Sequence, residues 1–120
     1  MTTIKQAILV YAACEKLKAN LIWLAGLLEG IAPFPKQALP PSEKVLQNHL
    51  RRVAYDLHTL LQSTGSTRLK KAQTHMETAM VMMDSGVSYE SVYHTTRALT
   101  QITSVGQETM EILKNEGLLE

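Results

Sequence analysis

Leu46, Leu50, Val53, Leu57, Leu60 and Leu61 recur at intervals of four and three residues between positions 43 and 62. That spacing gathers them on one side of an α-helix and would scatter them over both faces of a strand. A helix with a single apolar stripe buries it against other helices. Nothing in the 120 residues alternates with period two for long enough to argue a strand. The expected fold is therefore all-α: one domain, an antiparallel bundle of four helices.

Helix one is expected over 4–29. Thr3 and Gln6 have capping-box spacing. Ile4, Ile8, Tyr11, Leu17, Leu21, Leu24 and Leu28 cover much of its circumference. A helix this apolar is central to the fold or covered by another subunit. Four prolines fall between Pro33 and Pro41, which predicts a stiff, non-helical connector over 30–41. A helical hairpin follows over 42–84, its first helix capped by Ser42 and its turn formed by "STGST". Leu69, Ala72, Met76, Ala79, Met80 and Met83 form the inner stripe of its second helix, while Val81 and Met82 point elsewhere. Helix four is expected over 89–115, with Val92, Leu99, Ile102, Met110 and Leu113 inward. Thr96, Thr103 and Gly106 share that stripe, which predicts close helix packing or a polar network.

Charge narrows the partners. Twelve basic residues against eleven acidic ones give a net charge of +1, so generic adhesion to DNA or to an acidic membrane is not expected. "AILVYAAC" and "LIWLAGLL" are apolar but interrupted by "EKLK", and neither is long enough to span a bilayer. One cysteine, Cys14, excludes an intrachain disulfide and points to a reducing cytoplasm. The four histidines form no HxxxH or HExxH pattern, so no metal site is expected.

The surplus polar residues lie on the hairpin: Arg51, Arg52, Arg68, Lys70, Lys71, Thr74 and His75. Guanidinium, ammonium and hydroxyl groups near a helix start suit a phosphate. The ordinary reading of such a set is a solvated face. His75 falls beside Arg68 on one flank of the apolar stripe, and Thr74 beside Lys70 on the other. The carboxylates are scattered, with neither a catalytic pair nor a Gly-rich phosphate loop. The chain therefore reads as non-enzymatic, without a cofactor. "LHTLLQSTGSTRL" resembles histidine phosphotransfer domains, which would make His58 the phosphate acceptor. Leu61 and Gln62 stand where that family carries lysine and glycine.

"AQTHMETAMVMM" resembles a helical-hairpin family of small phage proteins that includes anti-CBASS sponges. The resemblance rests on Ala72, Thr74, His75, Met76, Glu77, Ala79 and Met80, and covers about residues 42–84. It implies a homo-oligomer that sequesters cyclic di- or trinucleotide immune signals without cleaving them. It also implies that Arg68 serves as the turn arginine, and Thr74 with His75 as the polar pair. In that reading Arg51, Arg68, Lys70 and Lys71 meet phosphates, and Tyr55 or Tyr11 stacks on a base. The alternative is a protein-interaction module that acts on a host partner.

Overall fold

The computed structural model describes residues 3–31, 40–85 and 88–119. They form four helices: α1 (Ile4–Ile31), α2 (Pro40–Thr64), α3 (Thr67–Asp84) and α4 (Ser88–Asn115). Among the described residues there is no strand. Each helix packs on the next, and α4 closes the ring on α1, so α2 lies across the bundle from α4.

Local chemistry sets the helix ends. The Gln6 N–H donates to Thr3 Oγ1 at 3.1 Å and the Thr3 N–H donates to Gln6 Oε1 at 3.0 Å, a reciprocal capping box. Gly65 ends α2 at φ 64, where a side chain would be strained. Ser66 then caps α3, accepting the Leu69 N–H at 3.3 Å. At the end of α4, Gly117 at φ 74 and the bonds Leu118 N–H to Leu113 O and Gly117 N–H to Lys114 O form a Schellman stop.

The core follows a seven-residue repeat. Leu46, Leu50, Val53, Leu57 and Leu60 are buried on α2, and Leu69, Ala72, Met76, Ala79 and Met83 on α3. On α1 the buried set is Ala7, Cys14, Leu17, Leu21, Leu24 and Leu28. Alternate steps of three and four keep a seam turned toward its neighbours, as in left-handed bundles.

Three expectations need correction. Ile4 and Ile8 are 44% and 47% exposed, and Tyr11 is half-buried, so α1 presents its far side to solvent. On α4 Ile102, Gly106 and Leu113 are buried as expected, but the rest of the buried line, Ser91, Thr95, Ala98, Val105 and Thr109, sits one residue before the expected stripe. Val92, Leu99 and Met110 are half-buried at its edge and Thr96 is exposed. Helix α2 begins at Pro40, inside the expected connector. Proline is tolerated in a first helical turn, because N–H groups there have no intrahelical partner. Residues 32–39 of that connector lie outside the described residues.

The shift on α4 has a packing cause. Small residues let α4 approach both α1 and α3. A Cβ added at Gly106 would lie 3.4 Å from Cys14 Cβ. Ser91 Oγ donates to Ala79 O at 2.9 Å, and Thr109 Oγ1 donates to Gly106 O at 2.9 Å. Buried hydroxyls satisfied in this way cost little and keep the helices close.

Candidate functional site

The expected ligand residues do not meet in one place. Arg51 pairs with Asp84 at 3.5 Å, tying α2 to the end of α3. Arg68 pairs with Glu108 of α4 at 3.0 Å. Asp84 lies sixteen residues along α3 from Arg68, about 24 Å at the helical rise. Tyr55 is 70% exposed on the outside of α2. Thr74 and His75 diverge, as their positions on the helix require: Thr74 lies toward α2 and His75 toward α4.

The α2 side holds an open groove of about 260 Å³, lined by His58, Leu61, Lys70, Gln73, Thr74 and Glu77. Its polar groups are largely engaged with one another. The Gln73 amide nitrogen lies 3.0 Å from His58 Nδ1 and donates to Glu77 Oε1 at 3.4 Å. The Gln62 amide nitrogen lies 3.5 Å from His58 Nε2. Thr74 Oγ1 donates to Lys70 O at 3.2 Å. Both ring nitrogens of His58 thus face side-chain amides.

The α4 side is different. His75 stacks on His94 with ring centroids 6.2 Å apart and planes 25° apart. Tyr93 meets His94 edge to face at 5.1 Å, and the Arg97 guanidinium lies 5.6 Å from the centre of the Tyr93 ring. Lys71 is exposed one helical turn before His75. Among the described residues, none of Lys71, His75, His94 and Arg97 makes an ion pair with a carboxylate. Burial, then the charge of Arg97, then His94 lower the proton affinity of His75 below that of an ordinary imidazole. His94 Nδ1 is buried and has no hydrogen-bond partner. The flank therefore sets two cations that make no ion pair among the described residues, Lys71 and Arg97, beside the histidine pair and a half-exposed tyrosine.

Compared with known proteins, the chain matches no family model, no curated protein and no solved structure. Among the described residues, no helix is long and apolar enough to cross a membrane. Nor, among them, is any group of three or more His, Cys, Asp or Glu side chains placed to hold a metal ion.

A smaller cavity of about 140 Å³ lies beside the α1–α4 contact, lined by Cys14, Glu15, Lys18, Gly106 and Met110 among others. Burial pushes the Cys14 thiol up to about 11, with Glu15 adding to the shift and Lys18 opposing it. At neutral pH it is a protonated, inert core group.

Tyr93, His94 and Arg97 were not singled out from the sequence. They lie at i, i+1 and i+4 of a helix whose other contacts are structural, and only the packing of α4 on α3 brings them to His75. The one available signal was "YHTTR", two aromatic rings and an arginine within one turn and a half.

Proposed function

We propose that this chain is a non-enzymatic binding protein for a phosphate-bearing nucleotide ligand. The specific candidate is a cyclic di- or trinucleotide signal held by stoichiometric sequestration. One observation carries the reading: the stacked His75–His94 pair, with Arg97 and Lys71 beside it, has no carboxylate partner among the described residues. A phosphate there gains charge-assisted hydrogen bonds from Lys71, His75 and Arg97, and Tyr93 offers a ring for a base. The resemblance of "AQTHMETAMVMM" to sponge proteins supports the ligand class. In this reading Lys71 and His75 keep their expected roles. Arg51, Arg68, Lys70, Thr74 and Tyr55 give way to His94, Arg97 and Tyr93.

Thermal melting against a panel of cyclic and linear nucleotides tests this. A bound ligand raises the melting temperature and is recovered intact after denaturation. Arg97→Ala weakens binding about tenfold or more, the loss of one charge-assisted contact, while Thr74→Val leaves it unchanged. No stabilisation by any phosphate-bearing ligand, or equal loss with both variants, removes the proposal.

A further inference from the structure

The outward face of α1 is the least explained surface of the molecule. Ile8, Leu9, Ile22 and Trp23 are 47%, 60%, 56% and 57% exposed. They flank a line of small residues opposite the buried seam, Ala12, Ala19 and Gly26, all exposed and seven apart, and the Trp23 ring also meets His49 of α2 edge to face at 4.9 Å. Gly26 is informative on its own. A Cβ added there meets nothing within 4 Å, so no packing inside the chain requires glycine. Glycine inside a helix nevertheless costs about 0.5–1 kcal/mol relative to alanine. Close approach by another backbone explains both facts.

From this face and its charges we infer that α1 is the contact between two copies of this chain, packed side by side in the same direction about a two-fold axis. Charge selects that orientation. Glu15 lies on the Ile8–Ile22 edge of the face and Lys16 on the Leu9–Trp23 edge. In a parallel two-fold pair, opposite edges meet. Glu15 then faces Lys16 of the second copy, twice, and Ile22 faces Trp23, while Ala12, Ala19 and Gly26 each meet themselves at the axis. An antiparallel pair brings like edges together: centred between Glu15 and Lys16 it sets each charge against its own copy, and centred on Ala19 it sets both against Ile22 and Trp23, so neither register gains the two ion pairs.

Both charged groups can take part. Lys16 is exposed and has no carboxylate partner among the described residues. Glu15 bonds Lys18 at 2.8 Å, yet its side chain keeps 44% of its exposure and its second oxygen can accept from the neighbouring copy. One helix face lies at the low end of specific interfaces, on the order of 1,000 Å² in total, so the dimer dissociates on dilution.

Sedimentation of the full chain over a concentration series is the test, with Trp23, the one tryptophan, as an internal reporter. The expected result is a monomer–dimer equilibrium whose dimer end shifts tryptophan emission to shorter wavelength. Lys16→Glu and Glu15→Lys each weaken it about fivefold, and the double exchange restores it. Ala19→Cys, an exposed site that leaves the core intact, forms a disulfide-linked dimer on oxidation. A monomer at every concentration overturns the inference. So does a dimer indifferent to Trp23→Ala, or one in which Ala19→Cys cross-links only to an Ala12→Cys copy. Because this face is separate from the α3–α4 flank, either proposal can fail while the other stands.

Discussion

His75 of α3 lies over His94 of α4 with the two rings 25° from parallel, although the residues are nineteen apart in the chain. Burial, then the nearby Arg97 guanidinium, then His94 make the His75 imidazole resist protonation.

A pH dependence follows from that arrangement. In the unfolded chain His75 titrates at its ordinary value of 6.5, and in the folded chain it titrates lower. The unfolded state therefore binds more protons once the pH falls below the ordinary value. This contribution to stability is whole above that value and is lost as pH drops through the folded one. The melting temperature should fall on acidification from about pH 7.5 to about pH 5, and His75→Gln should flatten the fall. Ligand binding has the opposite sign. A phosphate favours imidazolium, so affinity should rise on acidification, with proton uptake visible by calorimetry in buffers of different ionisation enthalpy.

Two hydroxyls on the buried face of α4 make opposite predictions. Ser91 Oγ donates to Ala79 O at 2.9 Å, so Ser91→Ala should destabilise by about 1 kcal/mol. Thr95 Oγ1 is buried with no partner, and Thr95→Val replaces it with a methyl of the same shape. Stability should rise by about 1 kcal/mol, read from the midpoint of urea unfolding. A loss with Thr95→Val would show that the hydroxyl is satisfied in solution.

The contact of Gly106 with Cys14 sets a sharp size limit. The 3.4 Å left for a Cβ admits alanine, so Gly106→Ala should stabilise the helix by about 1 kcal/mol. Gly106→Leu overfills the space and should cost about 1–3 kcal/mol. Reaction of Cys14 with a disulfide reagent reports the difference. The buried thiol should react slowly in the native protein and in the alanine variant, and faster once leucine pries α1 from α4.

Periodicity and cap chemistry made much of this molecule legible from its residues. The all-α bundle, the α2 stripe, the inward set of α3, the Thr3–Gln6 box and the Ser66 cap region all follow from local spacing, because helical geometry is a local property. The divergence of Thr74 and His75 was equally legible, since adjacent residues on a helix point about 100° apart. What local spacing could not reveal was which neighbour each face meets. On α4 the larger apolar residues, Val92, Leu99 and Met110, draw attention away from Ser91, Thr95 and Thr109. Close packing puts the small side chains inside, because only they let α4 touch both α1 and α3. The same packing gives Arg68 a carboxylate and gives His75 a second ring. A cation's availability depends on the charge across from it. That charge comes from another helix, so tertiary structure alone decided which of the basic residues remained free.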